Sequence, residues 1–303
     1  MFQLKQSLSR RASGVLLGAT GAALFSLKGV VMKLAFTVGG TVEQMMALRM
    51  GMALPVYIVV GWMALRTRPL SPAPRTLVAA AGLGVLSYYV CTWLDFTGLM
   101  FISAQLERLI LFLYPTMTAL LAWWFIGERM TLRHGLALAL SYGGILVLFG
   151  QEVSSLGPNA ALGAGLVFAA AALFAVYVTA AKTVIVGLGS PLFTCVAMTA
   201  AALAILAHFA GQSMLTVSPP INASILGLGA LLAIACTVMP SFMVTEAIAR
   251  AGPGLTSAAG GFGPAATAAV AVWVLGEPFG PHQALALILT VSGVVLLTRA
   301  GPK

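Results

Sequence analysis

Charge is what this chain has least of. Seven acids and 16 bases among 303 residues leave it 8% charged, against about 25% for a soluble domain. An ordinary water-facing surface is thereby excluded. Cysteine is nearly absent: Cys91, Cys195 and Cys236 form no CxxC pair and have no histidine at ligand spacing. That excludes a disulfide framework and a thiolate metal site, and no metal or cofactor is expected. HxxxxD, HExxH and GxSxG are all missing, and with them the clustered acids, His pair or nucleophile elbow of a membrane-embedded lipid enzyme. No catalytic residue is assigned.

What the chain does have is apolar length. It is 60% hydrophobic with a mean hydropathy of +1.02. A helix needs roughly 20 apolar residues to cross the ~30 Å hydrocarbon core. Ten stretches approach that length: 14–36, 43–65, 76–97, 102–126, 131–149, 158–181, 190–210, 223–246, 254–275 and 280–298. Unpaired backbone groups are not tolerated in lipid and no strand period runs through these stretches, so an all-α membrane protein of ten helices is expected. Its net charge of +9 is topological. With a cytoplasmic N-terminus, the inner segments hold Lys5, Arg10, Arg11, Arg66, Arg68, Arg75, Arg129, Arg133, Lys182, Arg250, Arg299 and Lys303; the outer loops hold none, with Lys33 the nearest exception. That bias places both termini in the cytoplasm. It also removes the case for nucleic acid, leaving the bilayer and a small molecule as the expected partners. The oligomeric state, monomer or homodimer, is left open.

Residues 115–148 match 264–297 without a gap at an offset of 149, with 13 identities among 34 positions. Pro115, Thr118, Trp124, Gly127, Glu128 and Gly144 meet Pro264, Thr267, Trp273, Gly276, Glu277 and Gly293. The offset also carries Leu24-Phe25 onto Leu173-Phe174. The chain therefore reads as one five-helix unit duplicated, 1–150 and 151–303. Because five is odd, the second copy is inverted in the membrane. Inverted repeats in a very apolar chain mark secondary transporters.

This order resembles the drug/metabolite transporter superfamily, specifically its ten-helix EamA-type members. The likeness rests on Pro115-Thr116-Met117-Thr118-Ala119 … Gly127-Glu128, its partner Pro264 … Gly276-Glu277, and Phe25-Ser26-Leu27-Lys28-Gly29 in the first helix. Lys28 stands where the family usually has Asn. Within the superfamily the chain is similar to bacterial exporters of aromatic and other neutral amino acids (YddG-type). The resemblance implies alternating access across the inner membrane. Carriers of nucleotide sugars or other metabolites, or a lipid flippase, are the rival expectations.

Paired breaks in inverted halves point to a substrate site. Pro115 and Pro264, near mid-span, are the candidate hinges; each removes a backbone donor, and each also serves if it only sets helix curvature. Tyr88, Thr92 and Asp95 recur on one helix face, with Thr237 and Ser241 as their copies. Glu107, Leu111 and Tyr114 share a second face, whose copy turns Leu111 and Tyr114 into Gly260 and Gly263. Such stripes must face protein or water, as cavity lining or as hydrogen-bonded glue between helices. Phe25, Tyr177, Met239 and Phe262 would complete an aromatic, methionine-lined interior. Lys28, Arg49, Glu107 and Arg108 fall together in the outer third, while their copies Tyr177, Met198, Thr256 and Ser257 are uncharged. Intramembrane charges are functional candidates by default. Lys28 is expected to pair with Glu107, leaving Arg108 or Arg49 for a substrate carboxylate; an ion-pair latch at the outer mouth competes with this, and Arg49 alone can snorkel to the headgroups. Glu107, then Asp95 and Glu246, are the proton-coupling candidates. The two Gly-Glu pairs read as helix-end turns with no substrate role.

Overall fold

Proline and small polar caps divide the chain into helices. The computed structural model describes residues 2–67, 72–126, 131–215, 219–251 and 262–299. In order they are α1 (Phe2–Ser26), α2 (Lys28–Thr37), α3 (Val42–Arg66), α4 (Pro74–Gly84), α5 (Thr92–Gly98), α6 (Ala104–Leu111) and α7 (Tyr114–Ile126). Then come α8 (Leu132–Leu156), α9 (Asn159–Leu188), α10 (Ser190–Leu215), α11 (Ala223–Ala233), α12 (Met239–Ala251), α13 (Phe262–Val270) and α14 (Pro281–Arg299). There is no strand among the described residues. Caps set the starts. Thr41 and Gln44 form a reciprocal capping box on α3, and the Asn222 side chain accepts from Ile225 N–H to open α11, each satisfying a first-turn donor that has no helical partner.

Seven helical runs are long and apolar enough to cross a membrane: Ala12–Thr37, Val42–Arg66, Pro74–Gly98, Leu132–Leu156, Asn159–Ala181, Ser190–Leu215 and Ala223–Val244. Phe262–Leu275 and Pro281–Leu297 are shorter apolar helices. The stretch expected to cross as one helix at 102–126 is instead split. Pro115 sits at the second position of α7, where its missing N–H costs nothing, and the chain breaks at Phe112–Leu113 just before it. Pro264 likewise falls in the first turn of α13.

Three segments wind more widely, as π-helix: Val85–Cys91 between α4 and α5, Ile234–Val238 between α11 and α12, and Ala271–Leu275 after α13. The first two begin at positions related by the repeat offset. Such insertions recur at functional sites because they displace side chains and loosen the carbonyl ladder.

Packing repeats the offset too. A side chain at Gly144 of α8 would strike Ala286 and Thr290 of α14, and one at Gly293 would strike Ala137 and Ser141 of α8. These contacts map onto each other under the offset, so α8 and α14 meet reciprocally through small residues, as close helix contacts in lipid require. A second core gathers Met32, Met45, Met50, Tyr57 and Met198 from α2, α3 and α10, all fully buried. Large apolar side chains on the outside, such as Trp62, Trp123, Trp124 and Trp273, are exposed, the distribution expected for a lipid-facing surface.

Candidate functional site

Helix α1 bends into α2 at Leu27, whose N–H is shared between the carbonyls of Ala23 and Leu24 at 3.2 Å each. The bend leaves the Ser26 carbonyl free to accept the Thr267 hydroxyl of α13 at 2.9 Å, and it starts α2 at Lys28. Lys28 is thereby aimed at two carboxylates. Its Nζ donates to Asp95 Oδ2 of α5 at 2.5 Å and stands 3.8 Å from Glu107 Oε1 of α6. The expected partner Glu107 is thus within ion-pair distance, and Asp95, on the Tyr88–Thr92–Asp95 face, holds the closer place.

These charges border a cavity of about 410 Å³ lined by α1, α2, α3, the Val85–Cys91 segment, α5, α6, the start of α7, α9 and the α11–α12 path. Volumes of this order suit small ligands. Phe25, Lys28, Tyr88, Thr92, Asp95, Arg108, Leu111 and Tyr114 from the sequence expectation all line it. Arg49 lines it as well. It does not snorkel: it is 6% exposed and its Nε donates to Thr237 Oγ1 at 3.0 Å. Both Arg49 and Lys28 stand over the Phe96 ring, at 5.8 and 5.7 Å from its centroid, within cation–π range.

Around the charges runs an aromatic wall. Tyr114 meets Phe174 edge-on at 5.1 Å, Phe174 stacks on Tyr177 at 5.5 Å, and the Tyr177 hydroxyl lies 3.5 Å from that of Tyr88. Tyr177 thus backs the wall from behind Tyr88. Glu107 is fully buried beside the cavity. Gly29 and Gly263 make the room for these groups: a side chain at Gly29 would strike the Glu107 carboxylate, and one at Gly263 would strike Arg108 Nη2. At Gly263, the copy of Tyr114, the space a side chain would need is thus taken by the Ser26 hydroxyl and the Arg108 guanidinium.

Other candidates lie elsewhere. Thr237 holds Arg49, and Ser241 bonds the Tyr57 hydroxyl at 3.1 Å, so both act as buried supports. Met239 and Phe262 are 47% and 66% exposed, facing outward from the helices. Glu246 is exposed on α12. Gly260, together with Thr256, Glu128 and the inner basic residues Arg68, Arg129 and Arg250, lies outside the described residues or side chains. Eight lining residues are not among the sequence candidates: Gly18 and Ala22 of α1, Ser87 and Cys91 of the first π segment, Phe112 before α7, Ala170 of α9, Cys236 of the second π segment and Val244 of α12. Nothing in their composition marks them; a π insertion leaves no residue signature.

Electrostatically the site is unfinished. Three cations, Lys28, Arg49 and Arg108, face two carboxylates, and the ion pairs among the described residues all involve Lys28. Asp95 Oδ1, both Glu107 oxygens, Arg108 Nε and Ser87 Oγ are buried with no hydrogen-bond partner among the described residues. Unsatisfied buried polar atoms are costly and rare. The arrangement can accept an anionic group on its guanidiniums, a cationic one on its carboxylates, and an apolar one on its rings.

A chain with such a cavity among membrane-length helices has relatives. A transporter from Bacillus subtilis (strain 168), YcbK, called an uncharacterized transporter, is 26% identical over 289 residues, 93% of this chain and 91% of its own. A solved crystal structure superposes with a TM-score of 0.66 at 20% identity, over 96% of this chain and 98% of the other, and shows the same fold. The model of the EamA-like transporter family matches twice, over 12–150 and again over 161–299. The protein belongs to the EamA-like transporter family, within the drug/metabolite transporter superfamily, and the two matches span the elements that surround the cavity.

Proposed function

We propose that this protein is a secondary carrier of the bacterial inner membrane that exports small zwitterions, aromatic and other neutral amino acids foremost, by alternating access around the cavity at Lys28, Asp95 and Arg108. One observation carries the reading: among the described residues, a single cavity presents guanidiniums outside any ion pair, a carboxylate oxygen without a donor, and an aromatic wall. An amino acid answers each. Its carboxylate suits Arg49 or Arg108, since guanidinium binds carboxylate with two parallel hydrogen bonds; its ammonium suits Asp95 Oδ1; its side chain suits Tyr114 and Phe174.

The proposed path has ten spans: the seven long runs, the α6–α7 pair, Phe262–Leu275 and Pro281–Leu297. Inner loops rich in Lys and Arg put both termini in the cytoplasm. Two inverted units, 1–150 and 151–303, are supported by the double family match and by the reciprocal packing of Gly144 and Gly293. Rocking of one unit against the other would expose the cavity to each side in turn. Glu107, buried beside Lys28 and Asp95, is the proton carrier if export is proton-coupled, because a proton on it removes one of two neighbouring negative charges.

The test is uptake of labelled phenylalanine, tryptophan, methionine, threonine and a nucleotide sugar into proteoliposomes, with and without a pH gradient. Saturable amino-acid flux is expected. Flux of the nucleotide sugar alone, or none from folded protein, would overturn the assignment.

A further inference from the structure

Helix α6 carries Glu107 and Arg108, and its start is held from outside its own unit. The first N–H groups of a helix lack helical partners. Here Ala104 N–H donates to Glu277 Oε1 at 2.7 Å, and Gln105 N–H donates to Glu277 Oε2 at 3.3 Å. Leu106 N–H donates to Ser103 Oγ at 3.0 Å. The Gln105 side chain donates to the Pro278 carbonyl at 3.1 Å. A carboxylate at a helix start also meets the positive end of the helix dipole. Glu277 reaches α6 because Gly276, at φ 67°, takes the left-handed turn that ends the Ala271–Leu275 segment, a conformation glycine adopts without strain.

A second carboxylate sits behind the first. Glu152, near the end of α8, accepts the Ser103 N–H at 2.9 Å and also the Ser103 hydroxyl. The two acids differ in what they join. Glu152 ties α8 to α6 next to it in the first unit. Glu277 lies beyond the second unit's α13, so its bonds to α6 cross between the two regions that the family model matches separately.

The duplication shows that this device belongs to one end only. Glu128 is the copy of Glu277, and the copies of Ser103, Ala104 and Gln105 are Gly252, Pro253 and Gly254. Pro253 has no N–H to give and Gly252 no hydroxyl. The position corresponding to Glu152 is Gly301. The opposite end therefore cannot build the same two-donor, two-carboxylate arrangement from its sequence.

We propose that Glu277 is the positioning residue of the transport cycle: it latches the start of α6, with Glu107 and Arg108 in the same short helix, against the second unit, and it must release those N–H groups before the cavity opens on that face. This rests on the alternating-access reading above. It also gives the Gly-Glu motif a task beyond ending a helix, and it biases the resting protein toward closure at the Glu277 end.

The experiment reads access rather than flux. Cys91 lines the cavity and is kept as the lone thiol in a C195A/C236A background. A membrane-impermeant maleimide is applied to oriented vesicles from the Glu277 face. Glu277→Gln should speed Cys91 alkylation on the order of tenfold, the equivalent of one charge-assisted hydrogen bond. Ala104→Pro, which copies Pro253 and is tolerated at a helix start, should act in the same direction while leaving Glu277 in place. Glu152→Gln should lower unfolding resistance without changing the alkylation rate, because its bonds stay inside one unit. Equal, near-wild-type alkylation in folded Glu277→Gln and Ala104→Pro overturns the latch, as does a matching acceleration in Glu152→Gln. Phenylalanine flux of the parent protein is measured alongside. Its absence, with alkylation still accelerated, overturns the substrate assignment and leaves the latch standing.

Discussion

Removing Asp95 and removing Glu107 should have unequal consequences, because Lys28 stands at unequal distances from them. At an effective dielectric of about 20, the gross attraction of Lys28 for a charge at 2.5 Å is about 6.6 kcal/mol, and at 3.8 Å about 4.4 kcal/mol. The difference, about 2 kcal/mol, favours Asp95 as the stabilising partner. Glu107 is fully buried, and neither of its oxygens has a donor among the described residues, so its charge is already expensive and its neutralisation relieves a cost. Asp95→Asn should therefore destabilise the protein by about 2–4 kcal/mol, near the range for breaking a buried pair. Glu107→Gln should cost less than about 1 kcal/mol or stabilise. Lys28→Met on its own strands two neighbouring carboxylates, whereas Lys28→Met combined with Asp95→Asn should be less damaging than the sum of the two. Reversible unfolding in mixed micelles reads these differences. A Glu107→Gln loss equal to or larger than that of Asp95→Asn, or strict additivity in the double variant, would refute the assignment of Asp95 as the partner of Lys28.

Arg49→Met and Arg108→Met should each raise the KM for phenylalanine about tenfold or more, the equivalent of about 1.5–3 kcal/mol for a charged hydrogen bond, as read by proteoliposome uptake. Tyr114→Ala and Phe174→Ala should lower the preference for phenylalanine over threonine in competition assays while leaving threonine transport measurable. Gly263→Ala should impair transport by pressing on both Ser26 Oγ and Arg108 Nη2, each closer than a methyl can approach; adding Ser26→Ala should recover part of the loss in proteoliposome uptake. Gly144→Leu and Gly293→Leu should destabilise by similar amounts, because each strikes the mirror-related contact on the opposite helix.

The membrane class and about half of the cavity wall are legible in the residues. Apolar length sets helices in lipid, and the offset that joins Gly144 to Gly293 reappears as a physical contact. The stripe of Tyr88, Thr92 and Asp95 lined the cavity because polar side chains in an apolar helix have few other places to go. Pairing was less legible. Lys28 pairs with both Asp95 and Glu107, at 2.5 and 3.8 Å, and which carboxylate lies nearer is set by how the helices pack, not by spacing along the chain. Arg49 turned inward because Thr237, 188 positions away, offered it an oxygen. Met239 and Phe262 are suggested as interior by side-chain type alone, and type does not say which way a helix face points. Glu277 was read as a local turn acid, since its partners Ala104 and Gln105 lie 173 and 172 residues earlier and bond through backbone, which carries no sequence mark.

The most direct test asks whether the cavity reads both charges of an amino acid. Phenylalanine counterflow in proteoliposomes would be competed with phenylalanine, with phenethylamine, which lacks the carboxylate, and with 3-phenylpropionate, which lacks the ammonium. The account predicts that each single-charge analogue competes on the order of tenfold less well than phenylalanine, the equivalent of one lost charged contact, and that Arg108→Met erases the advantage of phenylalanine over phenethylamine. Competition by either analogue as strong as by phenylalanine itself would contradict it.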